Sequence, residues 1–270
     1  MARRYPILVA VAVSFLGLGS AASALAATGL SSALPRPAVV YSVAFRQLGC
    51  EQELERISPR GAPRLVIAGA SFTAGVGPGP GRSWGVLLAR HLHWDTVIYG
   101  VPGAGYVRRG ADREGPVAAE IARIGLRAVQ PSLVFVQAGH DDIGVPPGLE
   151  SKQVARAVAV IRAEAPRAQI ALLTVFLGRA RPAAALRTDQ PIVRAARAAD
   201  PAVIIIDPLT GGWRFPHVRD GLHPTATGSA WIATRVAEIL LEHGVRPVRT
   251  GAGGGAIICG PAWPSPTRRL

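Results

Sequence analysis

Five short apolar runs recur along the chain: RLVIAG (64–69), DTVIYG (95–100), SLVFVQAG (132–139), QIALLTVF (169–176) and AVIIIDP (202–208). A strand with one wet face alternates apolar and polar residues. These runs are β-branched-rich and almost continuously apolar, which predicts strands of a parallel sheet covered on both faces. The stretches between them change period. SWGVLLARHL (83–92), PVAAEIARIGLRAV (116–129), SKQVARAVAVIRAEA (151–165) and TATGSAWIATRVAEILLEHG (225–244) carry apolar residues at helical spacing. Ser151 is the expected N-cap of the third of these and Pro166 its stop, and Gly244 ends the last. Residues 182–199 follow the same pattern less regularly, with Pro191 interrupting. Strand and helix alternating in this way predict an α/β fold with right-handed crossovers.

The flanks read differently. Arg3 and Arg4 precede an apolar run, Ile7–Leu18, and ASALAA places Ala24 and Ala26 in an A-x-A pattern. Residues 1–26 are therefore expected to be a signal peptide cleaved after Ala26, which puts the chain outside the cytosol, secreted or in the cell envelope. The alternative is an uncleaved membrane anchor, against which the run is short of the about 20 residues a spanning helix needs. Residues 27–62, rich in Ala, Ser and Pro, read as a leader or approach segment. The main domain is expected over 63–245, and the Gly/Pro-rich 246–270 as a largely irregular tail. Cys50 and Cys259 are the only cysteines. In an oxidising compartment a disulfide joining the two ends of the domain is their simplest use, unrelated thiols the alternative.

Composition narrows the function classes. Of 270 residues 49% are apolar and 17% charged, enough for a core that folds without a metal. No metal-ligand spacing surrounds either cysteine, and no cofactor is expected. The net charge is +13, carried by Arg except for Lys152. The arginines are scattered, with no basic run interleaved with aromatics and no helix-turn-helix or zinc-finger pattern, so nucleic acid is not an expected partner. Peripheral association with an anionic envelope is compatible with such a surface.

In an open parallel sheet, ligands bind beyond the carboxyl ends of the strands. Four polar or glycine-rich stretches fall there: GASFTAG (69–75), GVPGAGY (100–106), GHDD (139–142) and DGLH (220–223). Alone, Ser71 could equally cap a helix. With the others it acquires partners. His223 can take the serine's proton, and Asp220 can orient the imidazole. The N–H groups of Ser71 and Gly103 can donate to a tetrahedral oxyanion.

The order and spacing of these stretches resemble the SGNH, or GDSL-type, hydrolases over residues 64–243. GASFTAG resembles their serine block, Gly103 falls at their oxyanion glycine, GHDD matches the frame of their G-x-N-D block, and DGLHP matches D-x-x-H. The resemblance implies a flavodoxin-like three-layer α/β/α sandwich with a five-stranded parallel sheet, no metal, and ester hydrolysis or acyl transfer through a serine acyl-enzyme. Catalytic roles are then expected for Ser71, Asp220 and His223, and an oxyanion hole from Ser71, Gly103 and Asp141. Two residues depart from the pattern. Ala70 stands where the family has Asp, and Asp141 where it has an amide-donating Asn. An ionised carboxylate only accepts hydrogen bonds. Asp141 can be protonated through burial and its neighbour Asp142, it can be displaced with His140 or a backbone group donating instead, or the site can have lost activity.

The leading expectation is an exported esterase acting on a small-molecule, lipid or glycan ester. The rivals are an acyltransferase on envelope glycans or lipids and a non-catalytic envelope binding module. Trp84, Trp213 and Phe215 are candidates to line a pocket, with Trp84 equally suited to anchoring its helix. His91 and His93 read as surface or packing residues, and His217 and His243 carry no partner motif. Gly77–Gly81 reads as a rim loop, since no GK[ST] follows it.

Overall fold

A computed structural model of the chain describes residues 39–41, 63–248 and 255–259. The expected signal peptide, most of the leader and Cys50 lie outside the described residues. The five expected strands are present as β2 (Arg64–Gly69), β3 (Asp95–Gly100), β4 (Leu133–Gln137), β5 (Gln169–Leu173) and β6 (Ile204–Ile206). Two more join them, β1 (Val39–Tyr41) and β7 (Ala256–Cys259), so the sheet has seven strands rather than five. All pair in parallel, in the order β1-β7-β3-β2-β4-β5-β6.

Within each strand, successive residues feed opposite cores, as the two-residue side-chain period requires. Val66, Val134 and Leu172 enter one core with helices α3 (Val117–Ile124), α5 (Pro147–Glu164) and α6 (Pro182–Ala199). Leu65, Phe135 and Leu173 enter the other with α2 (Trp84–Leu92) and α7 (Ala226–Glu242). Covering both faces makes the strands apolar throughout and gives three layers.

Helix boundaries depart from expectation in three places. The 116–129 stretch divides into α3 and a short α4 (Leu126–Val129), because Gly125 takes a left-handed φ of +72° between them. Helix α5 starts at Pro147 rather than after Ser151, since proline at the first helical position loses no intrahelical bond; Ser151 sits inside the helix. Helix α6 runs through Pro191, which is buried. The start of α7 is as the sequence suggests, with Thr225 Oγ1 accepting from Gly228 N at 3.1 Å.

The tail is the larger correction. Read as irregular, it supplies β7, which lies between β1 and β3 with Ile257 opposite both Val40 and Val97. Ile257 is fully buried, as is Cys259 nearly so. The expectation of an irregular tail weighted glycine and proline and overlooked the four-residue apolar run AIIC. Replacing Ile257 with Ala should therefore cost about 2–5 kcal/mol of unfolding free energy, measured by urea denaturation. A cost within about 0.5 kcal/mol, typical of surface substitutions, would remove the tail from the core.

Candidate functional site

Strand register sets the stage. Gly100 pairs with Gly69, Gly69 with Gln137, Gln137 with Leu173, and Leu173 with Ile206, so five strands end in one row. From β2 the chain goes to β3 on one side and then to β4 on the other. The sheet order therefore reverses at β2, where open α/β sheets place their ligands.

Ser71 sits at this reversal, as the first residue of a four-residue helix, α1 (Ser71–Ala74), that leaves β2 after the single residue Ala70. Its turn is tied down from β4. Gln137 O accepts from Ala70 N at 3.0 Å, and Gln137 Oε1 accepts from Thr73 Oγ1 at 3.0 Å and Thr73 N at 3.3 Å. Gly69 is required by this approach, since a Cβ there would lie 2.4 Å from Gln137 O. Neither Gln137 nor Thr73 stood out in the sequence; the available signal was a polar residue ending an otherwise apolar strand. Ala70, where the resemblance expected Asp, is buried and makes no side-chain cap.

The side chain of Ser71, 7% exposed, donates from Oγ to His223 Nε2 at 2.8 Å. His223 Nδ1 donates to Asp220 Oδ2 at 2.7 Å. The D-x-x-H spacing works because Asp220 uses its two oxygens differently. Oδ1 accepts from the N–H groups of Leu222 (2.8 Å) and His223 (2.9 Å), which folds the turn, while Oδ2 orients the ring. Desolvation acts to raise the Asp220 carboxyl, but the hydrogen bonds from the His223 ring and the two N–H groups prevail and hold it at about 2. An ionised Asp220 can only accept, so the proton of a neutral His223 sits on Nδ1 and Nε2 is free to receive the serine's. Phe72 packs against the imidazole, ring centroids 5.5 Å apart, and stacks on Phe176 at 4.1 Å.

Around this chain stand the other rim residues. Gly103 occupies the loop after β3 with φ +76°. That loop starts against the serine helix, since a Cβ at Gly100 would lie 2.3 Å from Ala74 N. Its far side is held by Asp142, which is fully buried and accepts from the N–H groups of Tyr106 (2.5 Å), Val107 (3.2 Å) and Arg108 (3.0 Å). The sequence reading gave Asp142 only an electrostatic part; its main structural part is to anchor the loop bearing Gly103. Asp141 is half-buried. Burial pushes its carboxyl up, with Asp142 adding to the shift and His140 and His223 opposing it. His140 donates from Nδ1 to Phe176 O at 2.7 Å. As a neutral imidazole it then has an acceptor at Nε2, so it is no oxyanion donor in that state.

Residues 67–231, well over half of the chain, match the GDSL-like lipase/acylhydrolase family. The chain belongs to that family. Solved structures agree in fold. A carbohydrate esterase family 2 enzyme from Corynascus thermopiles (Myceliophthora fergusii) is similar with a TM-score of 0.56 and 22% identity, covering 69% of this chain and 68% of that one. A family two carbohydrate esterase from Clostridium thermocellum, in complex with cellohexaose, is similar at 0.52 and 16%, covering 69% and 66%. The salicylyl-acyltransferase SsfX3 from a tetracycline biosynthetic pathway is similar at 0.54 and 19%, covering 71% and 58%. Among curated proteins, none matches the chain.

In this GDSL-type chain the remaining candidates separate cleanly. Trp84 is fully buried against Phe135, 5.0 Å between centroids, and anchors its helix rather than lining a pocket. Trp213 and Phe215 are half-buried and flank the site, Phe215 6.3 Å from Phe72. The Gly77–Gly81 stretch is a rim loop, lying so close to the His223 turn that a Cβ at Gly77 would meet Pro224 O at 2.3 Å. His91, His93, His217 and His243 are exposed and stand apart from this hydrogen-bonded chain. Among the described residues no cluster of three or more His, Cys, Asp or Glu is arranged to hold a metal.

Beneath Asp142 lies a further acid, Glu150 on α5. It is fully buried, and neither carboxyl oxygen has a hydrogen-bond partner. Burial first, then Asp142 and Asp189, push it from 4.5 to about 9. Glu150 is thus protonated in the fold and ionised in the unfolded chain at neutral pH. The stability it contributes is complete below pH 4.5 and is lost as pH rises through about 9. Urea unfolding should show the native protein losing about 1–4 kcal/mol more between pH 5 and pH 8 than Glu150→Gln does. Parallel pH dependences in the two proteins would contradict this assignment.

Proposed function

We propose that the chain is an exported serine esterase that cleaves carboxylic esters through an acyl-enzyme on Ser71. The observation that carries this reading is the unbroken chain from Ser71 Oγ to His223 Nε2 and from His223 Nδ1 to Asp220. In the proposed cycle Ser71 Oγ attacks the acyl carbon while His223 Nε2 takes its proton, and ionised Asp220 stabilises the imidazolium. As the first residue of α1, Ser71 has an N–H that no intrahelical carbonyl can take, so it is free to donate to the oxyanion, with Gly103 N–H as second donor. Collapse breaks the ester C–O bond, and the leaving alcohol takes the proton from His223. Water then repeats the sequence on the acyl-enzyme and releases the acid.

The side chain of Asp220 is 46% exposed and that of His223 17%. An edge this open admits water as the second acceptor, as hydrolysis requires. The likeness to carbohydrate esterases supports glycan-borne esters as the substrate class. Export is supported by Arg3, Arg4, the Ile7–Leu18 run and the Ala24/Ala26 pattern. Among the described residues no helix is long and apolar enough to cross a membrane. In that setting a disulfide between Cys50 and Cys259 is the proposed use of the two cysteines.

Two measurements test the reading. Ser71→Ala should lower the turnover of short p-nitrophenyl esters by about 10⁴-fold or more and abolish labelling by a fluorophosphonate, with circular dichroism unchanged. Undiminished turnover in that variant would sink the assignment. The second concerns Asp141, which we assign as a third oxyanion donor in its protonated form. Because burial raises its pKa, the donor is present below that pKa, and activity should fall as pH rises through it. Asp141→Asn donates at any pH and should extend activity to higher pH. An identical alkaline limb in both proteins would exclude the donor role.

A further inference from the structure

On the sheet face opposite α2 and α7, a cavity of about 520 Å³ opens between helices α3 and α5 and the loop that follows Gly103. None of Ser71, His223 and Asp220 lines it. Buried Tyr106 lines it, and α3 contributes Ala118, Ala119 and Ala122. Helix α5 presents Gln153, Arg156 and Val160, three and four residues apart and so on one face. Arg109 approaches from the loop. Both arginines are exposed, and among the described residues neither guanidinium makes a hydrogen bond or ion pair, whereas Arg123, Arg127, Arg162 and Arg235 each hold a carboxylate.

We propose that this cavity binds an amphiphilic oxyanion, a carboxylate or phosphate monoester on an aliphatic chain. The chemistry follows from the lining. Two unpaired guanidiniums offer forked donors matched to a carboxylate or phosphate head. The alanines, Val160 and Tyr106 offer an apolar bed of a volume usual for small-ligand sites. The chain's net charge of +13 favours approach of an anion. Occupancy would bear on the rim, because Tyr106 and Val107 line the cavity while their N–H groups end on Asp142, next to Asp141. The proposal stands independently of the catalytic reading.

The test uses the Ser71→Ala chain, in which binding is read without turnover. Calorimetric titration with octanoate and with octyl phosphate, each below its micelle concentration, should show a single site for at least one of them. Acetate and 1-octanol, which lack the tail and the charge respectively, should bind far more weakly. Adding Arg109→Ala and Arg156→Ala together should weaken binding about tenfold or more. Ala122→Phe, which fills the cavity from its exposed rim, should abolish it. The native protein with Ser71 blocked by a phosphonate should bind as before. Which of the two amphiphiles binds identifies the head group. Absence of binding by either, equal binding to the double-arginine variant, or loss of binding on blocking Ser71 would each overturn the proposal. Binding to anionic phospholipid vesicles alone, with no binding of either soluble amphiphile, would make the arginines a membrane contact and overturn it as well.

Discussion

The rim that carries Ser71 depends on how closely two strand ends approach each other. Gly69, with no Cβ, lets the carbonyl of Gln137 come within bonding distance of Ala70 N, and the Gln137 side chain then captures Thr73. These bonds fix both ends of the single turn that carries Ser71. A nucleophile is useful only if its oxygen is held within hydrogen-bond reach of its base, and small displacements are costly. Here Ser71 is fixed by β4 and His223 by the Asp220 turn, and the two are 152 residues apart in sequence. The rim is therefore built by tertiary contact between strand ends. Gly100 repeats the device on the other side, admitting the backbone of Ala74 where a side chain would block it.

Environment divides the labour among the acids of the site. Asp220 is exposed, saturated with hydrogen bonds and ionised, which suits an orienter of imidazole. Asp141 is half-buried beside another acid and pushed towards the neutral form, which suits a donor. The same functional group thus takes opposite protonation tendencies, according to hydration and neighbours. In the proposed donor role, this is how a carboxyl stands at Asp141. A carboxylic acid that keeps its proton offers one O–H donor, where an amide offers two N–H donors.

The strands, their order along the chain and the four rim stretches were legible in the sequence, because continuous apolar runs and D-x-x-H spacing reflect local requirements. What escaped notice depends on partners far away in the chain. Gln137 looks like the polar end of a strand until Thr73 is found beside it. Asp142 looks like a second acid until the three N–H groups of residues 106–108 are placed around it. Strand β7 was hidden by composition: glycine and proline dominate the tail, while the four residues that pair with β3 are apolar and few. The start of α5 was misplaced for a related reason, since the general preference for serine caps outweighed the specific suitability of Pro147 for a first helical turn.

Behind the rim the chain accepts a cost. Asp142, Glu150 and Asp189 crowd one buried region, with Asp189 held up to about 6, chiefly by burial, and Glu150 without a hydrogen-bond partner. Apolar residues would fill such a region more stably. Of the three, Asp142 grips the loop bearing Gly103, and Glu150 stands within its field. Protonation of Glu150, held up to about 9 chiefly by burial, spares Asp142 one like charge, so the position of the Gly103 loop and the charge state of the core beneath it are linked. A fold that keeps this arrangement trades stability for a loop fixed from below, away from the open edge where substrate arrives.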